Sequence, residues 1–530
     1  MTEIQGKEPV SRALLLILLL SLMMNGVGIW WGLPGSGWAP DEVAPSRVIA
    51  GLEQGLSQGW YVKYPPLHFY LLTLAYLPIL ALHWLTGLDL HGYQVNTVLF
   101  FMGRSLSLLM GTSIVYIVYR CGREIFDRRA ALFTALISAL TVPFVYYSKT
   151  ANLEIPFIFW FMLSLWFYLR VLKAHRLADY LLFTAAAIFS VCTKDQAYGF
   201  YVLMPLGIIL SAHLSRRKED DRAGILASVF NRKTILSLAL AAVLFVLIQN
   251  ILFSPDGFMG HVRFITGPGS QRFQVYENTL SGHAGMLWSS LRYIRFSFGW
   301  PMFLLCALGL AAFFRARKEA PLLFWLLLPG LSYYIFFISV IRYNCVRFFL
   351  PLCLTLAFFG GRLLAGLLAP GQRLPGLRIA AVVLLFLYTG LYASSGNIQM
   401  VLDARYKVER SLERNIAPDA LIGLVGSRMY LPRLESFEIT RRMKILTRRT
   451  LQRLKPDYLL VNSDFARINS EKVYDRLRQE KLGYRLVLRY RFDSPWLLWS
   501  YRDIFRNDQK WIFTNLDKIN PEVEIYERID

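Results

Sequence analysis

Long apolar runs are the feature that most constrains how this chain folds. Positions 14–20 hold seven consecutive aliphatic residues, and positions 235–248 are apolar except for one serine. A soluble core cannot absorb many such runs, since each must be buried against other apolar surface. Overall, 55% of the 530 residues are hydrophobic and 18% charged, whereas soluble domains average about 45–50% and about 25%. The sequence therefore predicts a polytopic α-helical membrane protein and excludes disordered, collagen-like and coiled-coil chains.

Eleven segments approach the ~20 residues that cross a bilayer. They lie at about 12–30, 98–119, 130–147, 152–172, 178–193, 196–214, 234–253, 298–314, 320–340, 346–368 and 378–395. Region 66–84 is equally apolar, and counting it as a span would reverse the orientation of everything downstream.

The distribution of basic residues decides how region 66–84 is interpreted. Without it as a span, the inner loops hold 18 Lys and Arg, whereas the short outer turns hold Lys149, Lys194, Arg342 and Arg347. Because basic residues gather on the cytoplasmic side, we expect about eleven spans, a cytoplasmic N-terminus, and region 66–84 at the outer interface or dipping into it. The net charge of +22 then mainly reports orientation, and we expect no nucleic-acid partner.

The composition changes after residue 395. Residues 396–530 carry 26 Lys and Arg against 19 Asp and Glu, and no long apolar run. Strand-like runs at 420–425, 458–461, 484–490 and 523–526 alternate with helix-like segments at 405–415, 441–454 and 471–481. This alternation predicts a small α/β domain on the outer side. We therefore expect a membrane domain at 1–395, with a first outer loop at 31–97, and an extracytoplasmic α/β domain at 396–530.

Neither the cysteines nor the histidines have metal-site spacing. The five cysteines form no CxxC pair, which favours free thiols in a helical bundle. His68, His261 and His283 are predicted on the outer side, and we interpret them as interface residues. The sequence therefore predicts neither a metal nor a cofactor.

Asp41 and Glu42 form an acidic pair just beyond the first predicted span. A carboxylate partly shielded from water at the mouth of a membrane helix is suited to act as a general base. The alternative is a solvated helix start, where acidic residues favour the helix dipole.

A second motif follows in the same loop, with Lys63 and Tyr64 before Pro65 and Pro66. The two prolines stiffen the chain, and the lysine is predicted at headgroup depth, where a lipid phosphate would lie. The alternative is an ordinary lysine whose ammonium snorkels to the interface.

These motifs, in this order, resemble the GT-C superfamily of polytopic glycosyltransferases. The similar branch contains protein O-mannosyltransferases and the lipid A aminoarabinose transferase. The pattern is an acidic pair, a helix, a Gly-Trp pair, and a lysine before Pro-Pro-Leu; here it comprises Asp41, Glu42, Gly59, Trp60, Lys63, Pro65, Pro66 and Leu67. Tyr64 departs from the family, because the lysine there often directly precedes the prolines.

Three later segments also resemble the family. Lys149 and Glu154 stand where the family usually has Arg and Asp, and Lys194 belongs to a Thr-Lys pair at a membrane edge. Arg347 begins an Arg-Phe-x-x-Pro segment that the family has with Tyr.

The resemblance implies a polyprenyl-phosphate-sugar donor and an inverting displacement. It implies that Asp41 is the base that deprotonates the acceptor hydroxyl, with Glu42 as support or substitute. Glu154 would orient the acceptor or tune Asp41. Fixed cations would stabilise the leaving phosphate without a metal, and these are Lys63, Lys194, Arg347 and Arg342. Tyr64, His68 and Lys149 complete the expected substrate-binding residues.

The location and the partners follow from this resemblance. We expect a multi-pass, monomeric inner-membrane protein whose active site faces the periplasm and whose acceptor is a glycolipid, a polysaccharide or a protein. The alternative function is a transporter or flippase of a lipid-linked glycan, which predicts charges in the middle of spans and inverted repeats. The ionisable residues instead gather at the outer edges, and this favours the enzyme.

Overall fold

The computed structural model describes residues 11–35, 37–53, 63–217, 224–268, 274–315, 321–437, 440–443, 445–500 and 515–529. Gly59 and Trp60 of the predicted motif lie outside the described residues. The chain divides into two compact units. The membrane unit comprises Met1–Ile29 and Glu42–Ala393, and the C-terminal unit comprises Trp30–Asp41 and Ser394–Asp530.

The membrane unit is helical, as predicted. Within the described residues, seven helical stretches are long and apolar enough to cross a membrane: Leu67–Thr86, Tyr93–Ile125, Glu154–Ala174, Asp195–Arg217, Leu322–Ile341, Val346–Leu367 and Pro375–Asn415. The pair Leu280–Phe298 and Trp300–Arg315, bent by 116°, is a further candidate, and Arg12–Gly26 and Leu177–Val191 are shorter apolar helices. The chain is thus a multi-pass membrane protein, and the count of eleven spans stays a prediction.

Helix Leu67–Thr86 occupies the region whose path through the membrane was ambiguous from sequence. It is continuous over 20 residues, and only 17% of its apolar window is buried inside the protein. It ends at Gly87 in the left-handed region, whose N–H donates to the carbonyl of His83, as helix ends commonly do. The helix is long enough to span, and its placement at the interface stays a prediction.

The remaining helices of the membrane unit are shorter or interrupted. Predicted span 130–147 is broken into Arg128–Ala139 and Val142–Tyr147, with Pro143 in the first turn of the second helix. Predicted span 320–340 contains a π-helical turn, Tyr334–Ile338, between Pro321–Tyr333 and Ser339–Ile341. The other helices are Pro45–Glu53, Tyr198–Tyr201, Met204–Arg217, Ile225–Val229, Arg232–Ile248, Pro255–Thr266, Leu350–Leu367 and Pro375–Val401.

Close contact between two helices fixes part of the bundle. Helix Leu350–Leu367 packs against helix Arg128–Ala139 through Gly361, where a Cβ atom would lie 2.2 Å from the Thr134 hydroxyl oxygen. Small residues of this kind let membrane helices approach closely. This packing holds the helix that directly follows Arg347.

The C-terminal unit contains a five-stranded mixed sheet. Its strands are β1 (Ile422–Val425), β2 (Thr440–Met443), β3 (Tyr458–Asn462), β4 (Tyr484–Tyr490) and β5 (Val523–Arg528), in the order β2-β1-β3-β5-β4. Strand β1 runs parallel to β2 and β3, whereas β5 pairs antiparallel with β3 and β4. Side chains alternate between the two faces, so Leu459 and Val461 enter one apolar core and Leu460 enters the other. A small sheet with helices was predicted, and it is present.

The predicted helix 441–454 is partly wrong. Its first residues form strand β2, and the helix is confined to Arg448–Leu454. The helix predicted at 471–481 belongs to a longer one, Ser463–Arg478, which is kinked at Ser470. Helix Ala404–Asn415 matches its prediction. β2 was missed because four residues with three polar side chains carry no apolar alternation; pairing with β1 makes them a strand.

Residues 30–41 belong to the C-terminal unit, although they were predicted as part of the first loop of the membrane domain. The Trp31 indole N–H donates to Asp403 over 3.0 Å, and the Arg405 guanidinium lies 3.8 Å from the centre of the Trp38 ring. The Asn515 side chain donates to the Pro40 carbonyl over 3.0 Å. These buried aromatic and charged contacts explain why the segment groups with residues distant in sequence.

Candidate active site

Glu42 is held by a buried ion pair. Its Oε1 accepts from Arg104 Nε at 2.8 Å and its Oε2 from Arg104 Nη2 at 2.9 Å, a two-pronged geometry. Oε1 also accepts from the Ala151 backbone N–H at 2.8 Å. The Glu42 side chain is 4% exposed and that of Arg104 1%. Both oxygens are therefore occupied, and the geometry suits an anchor better than a proton acceptor.

Two further hydrogen bonds lie next to this ion pair. The Val43 N–H donates to the Ala151 carbonyl over 2.8 Å, and Arg104 Nη1 donates to the Ile29 carbonyl over 2.7 Å. Together with the Glu42 pair, these bonds fix where the chain re-enters the membrane unit.

Asp41 directly precedes this anchor and is the last residue of the segment that groups with the C-terminal unit. It is exposed, and its φ of 61° lies in the left-handed region, which Asp adopts more readily than most residues. An exposed carboxylate on a fixed backbone can accept a proton, and its role as the base stays a prediction.

Glu154 brings together three of the predicted site residues. It begins helix Glu154–Ala174 and is fully buried. Its Oε2 pairs with the Lys194 ammonium, and its Oε1 lies 3.1 Å from Arg347 Nε. Lys194 precedes the 3₁₀ turn Asp195–Ala197, and Arg347 lies in the 3₁₀ turn Val346–Phe349. Three segments far apart in sequence therefore converge on one carboxylate.

Glu154, Lys194 and Arg347, counted by themselves, comprise two cations and one carboxylate and so carry a net positive charge. Burial lowers the pKa of Lys194, whereas the neighbouring Glu154 carboxylate favours the ammonium. The side chains of Lys194 and Arg347 are 10% and 18% exposed, whereas that of Glu154 has no exposure. The cations thus lie nearer the surface than the carboxylate, an arrangement suited to an anion such as a phosphate.

Lys149 is held by backbone carbonyls at the end of the first helix. Its fully buried ammonium donates to the carbonyls of Met24 and Val27 over 2.8 and 2.7 Å. These carbonyls lie at the C-terminal end of helix Arg12–Gly26, where a positive charge is favourable. The contacts assign Lys149 a structural role, and the predicted substrate contact stays a prediction.

Lys63, Tyr64 and His68 lie around the start of helix Leu67–Thr86. The partly exposed Lys63 ammonium lies 5.1 Å from the centre of the Tyr64 ring, and Tyr64 packs against the apolar cluster that contains Phe69. His68 is fully buried, and neither ring nitrogen has a hydrogen-bond partner among the described residues. An unpaired buried ring of this kind calls for an explanation, and substrate binding stays the prediction for it.

Arg342 holds a neighbouring outer segment. Its Nη2 donates to Gln274 Oε1 over 2.7 Å, and its carbonyl accepts from the N–H groups of Val275 and Tyr276. The side chain is partly exposed. Its phosphate-binding role stays a prediction, since the contacts shown secure residues 274–276.

Two pairings in this part of the protein were not predicted from the sequence, that of Arg104 with Glu42 and that of Asp195 with His261. Arg104 lies inside predicted span 98–119, where a charged residue is rare and functional by default, so that signal was available. Asp195 Oδ1 lies 2.9 Å from Nε2 of His261, which is 2% exposed and comes from helix Pro255–Thr266. No local signal could have paired these two residues, because they are 66 positions apart in sequence.

The cysteines and the candidate metal-ligating side chains were also compared with the predictions. All five cysteines are free and buried. Among the described residues, no group of three or more His, Cys, Asp or Glu side chains could hold a metal ion.

Comparison with known proteins supports the resemblance seen in the sequence. Residues 91–255 match the family model of the dolichyl-phosphate-mannose-protein mannosyltransferases. This chain is similar to those glycosyltransferases. The matched range contains Glu154 and Lys194, whereas Asp41 and Arg347 lie outside it.

One curated relative also matches. It is YycA of Bacillus subtilis (strain 168), whose name assigns it as a mannosyltransferase, and it is 25% identical over 232 residues. The match covers 43% of this chain and 31% of the relative. The chain thus spans about a third of the length of that relative. The match to this relative and the match to the family model together confirm the predicted resemblance to GT-C glycosyltransferases.

ArnT from Cupriavidus metallidurans bound to undecaprenyl phosphate matches with a TM-score of 0.49 and 13% identity over 97% of both chains. The Archaeoglobus fulgidus oligosaccharyltransferase has a TM-score of 0.47 and 11% identity, over 97% of this chain and 88% of that one.

Proposed function

We propose that this chain is a membrane glycosyltransferase that moves a sugar from a polyprenyl-phosphate-sugar donor to an acceptor hydroxyl on the periplasmic face of the inner membrane. The observation that carries the proposal is the cluster of Glu154, Lys194 and Arg347, with two cations on one buried carboxylate. The matching family model supports it, since the name of that family specifies a lipid-phosphate-linked sugar.

The proposed reaction is a single displacement. The acceptor oxygen forms a bond to the anomeric carbon while the bond from that carbon to the phosphate oxygen breaks, so the configuration inverts. The electron pair of the broken bond leaves with the lipid phosphate, whose negative charge increases. Fixed cations stabilise this charge more strongly in the transition state than in the ground state, and we assign this to Lys194 and Arg347.

Asp41 takes the proton of the acceptor hydroxyl in this proposal. Asp41 is exposed to solvent, whereas the Glu42 side chain is only 4% exposed and both its oxygens accept from Arg104 or the Ala151 N–H. Glu42 therefore fixes the backbone next to the base. Glu154 holds the two cations in place and is assigned as a positioning residue. Lys63 and Arg342 are proposed as further phosphate contacts, and Tyr64 and His68 as substrate contacts. Lys149 is proposed as a structural residue instead, because its ammonium donates to the carbonyls of Met24 and Val27.

The test is sugar transfer by the purified full-length chain in proteoliposomes containing polyprenyl-phosphate-sugars, with envelope glycolipids, polysaccharides and proteins as acceptors. Asp41→Asn should abolish transfer while donor binding persists. The matched control is Asp89→Asn, because Asp89 is an exposed carboxylate of the same predicted loop; this variant should keep full activity. Full transfer by Asp41→Asn would disprove the base.

The same experiment separates the enzyme from a flippase. A flippase would move the lipid-linked sugar across the bilayer without breaking the bond between sugar and phosphate. Mass spectrometry of the lipid fraction would then show only the intact donor and no free polyprenyl phosphate. That result would overturn the proposed function.

A further inference from the structure

A largely apolar groove lies in the membrane unit, and none of its lining residues belongs to the proposed site. It is formed by the start of helix Arg12–Gly26, by helix Arg128–Ala139, and by the segment that joins Leu350–Leu367 to Pro375–Val401. Its volume is about 590 Å³, within the range of about 300–1,000 Å³ that is typical of ligand pockets. Eleven of its fourteen lining residues are apolar, and the other three are Arg129, Gln372 and Arg378. The groove is thus shaped for an apolar ligand with a polar end.

The two arginines of the groove differ in how they are held. Arg378 Nη1 donates to the Leu367 carbonyl over 3.2 Å and to Gln372 Oε1 over 2.8 Å. Arg129 is exposed and, within the described residues, has no hydrogen bond or ion pair. One guanidinium is therefore fixed at the groove, while the other can turn toward a ligand. Neither charge is neutralised by a carboxylate among the described residues.

The position of these arginines in the sequence indicates which leaflet the groove meets. Both belong to basic segments, 120–129 and 370–378, that the positive-inside rule places on the cytoplasmic side. Lys194 and Arg347 belong to turns on the opposite side. A ligand in the groove would therefore be drawn from the inner leaflet, and basic pockets between membrane helices on this side typically bind anionic headgroups.

We propose that this groove binds one anionic glycerophospholipid of the inner leaflet. Its acyl chain lies against Leu16, Phe133 and Ile379, and its phosphate lies between Arg129 and Arg378. Leu16 and Ile379 are 66% and 54% exposed. An acyl chain lying in the groove therefore covers these exposed apolar side chains. Two uncompensated cations favour a lipid of net negative charge over a zwitterionic lipid, because the headgroup of a zwitterionic lipid also carries a positive charge. The proposal is independent of the reaction that the chain catalyses.

Native mass spectrometry of the full-length chain in detergent, titrated with phosphatidylglycerol or phosphatidylcholine, tests the proposal. The wild type should bind phosphatidylglycerol more tightly than phosphatidylcholine. Arg129→Gln should weaken phosphatidylglycerol binding about fivefold, and the double variant Arg129→Gln/Arg378→Gln further, since each basic residue near the headgroup contributes about that factor. Arg128→Gln and Arg373→Gln are matched controls, because both arginines are exposed sequence neighbours that do not line the groove.

A second variant guards against misfolding of the charge variants, since Arg378 also holds the end of a helix. Ala369→Trp fills the groove without changing its charge and should reduce the binding of both lipids. Phosphatidylglycerol binding that is unchanged in Arg129→Gln, or lost equally in the controls, would overturn the proposal. Displacement of phosphatidylglycerol by an equal concentration of a polyprenyl monophosphate would overturn the assigned occupant.

Discussion

Glu42 and Glu154 are both buried carboxylates of the membrane unit, and they differ in their partners. Glu42 is matched by one guanidinium, Arg104, and by a backbone N–H, so the pair is neutral and nearly unexposed. Glu154 shares its charge between Lys194 and Arg347, so the cluster keeps a positive surplus that reaches the surface. Removing one partner of a neutral, closed pair leaves a buried charge unpaired and destabilises the fold, whereas an unbalanced, partly open cluster can bind an anion.

The largest expected effect comes from breaking the neutral pair. Arg104→Met would leave the Glu42 carboxylate buried without its cation, which typically costs about 3–5 kcal/mol. The midpoint of thermal unfolding of the purified chain in detergent should fall markedly. The double variant Glu42→Gln/Arg104→Met should recover part of the loss, because no charge is left unpaired. An unchanged midpoint in Arg104→Met would contradict the structural role of the pair.

Breaking the unbalanced cluster should affect activity more than stability. Lys194→Met leaves Glu154 paired with Arg347, so the unfolding midpoint should change little. Transfer should fall about 10²–10³-fold, as when one preorganised charge-stabilising group is removed. Lys173→Met is the control, since Lys173 is an exposed lysine at the other end of the helix that Glu154 begins. A large loss of stability with unchanged transfer would show that the cluster has a structural role and no role in transfer.

Lys149 is a third buried charged residue, and it differs from Glu42 and Glu154 because its ammonium donates to backbone carbonyls. Lys149→Met removes its bonds to Met24 and Val27, and hydrogen bonds to charged groups contribute about 1.5–3 kcal/mol. We expect a lower unfolding midpoint and an unchanged donor affinity in the same preparation. Weaker donor binding at normal stability would instead support the predicted substrate contact.

The smallest expected effect is a pH dependence at the same residue. Burial holds the pKa of Lys149 well below its ordinary value, so the folded chain binds fewer protons than the unfolded chain at pH values between the two. Stability should therefore rise with pH toward the ordinary value of about 10.4, by at most about 1.4 kcal/mol per pH unit. The slope of the unfolding free energy against pH should be smaller in Lys149→Met than in the wild type. Identical slopes in the two proteins would show that Lys149 does not cause the pH dependence.

Some of the site could be predicted from sequence because it depends on local patterns. Hydropathy and charge placed Lys194 and Arg347 at the outer membrane edge, whereas Glu154 was identified through the resemblance to the GT-C family. Helix Ala404–Asn415 and strands β1, β3, β4 and β5 were predictable for the same reason. Strand β2 was not predictable, because its pairing with β1 rather than its side chains makes it a strand.

What the sequence determined by itself was the multi-pass helical class, the presence of a small α/β unit, and the residue types that border the spans. These follow from hydrophobic periodicity and charge distribution, which act over a few turns of chain. Only the tertiary structure decided which charges meet. It pairs Glu42 with Arg104 and places Glu154 between two cations. It also buries Trp31 and Trp38 against residues beyond 393, which are hundreds of positions away in sequence. The net charge of a buried cluster depends on which side chains the fold brings into contact. No local sequence pattern encodes those contacts.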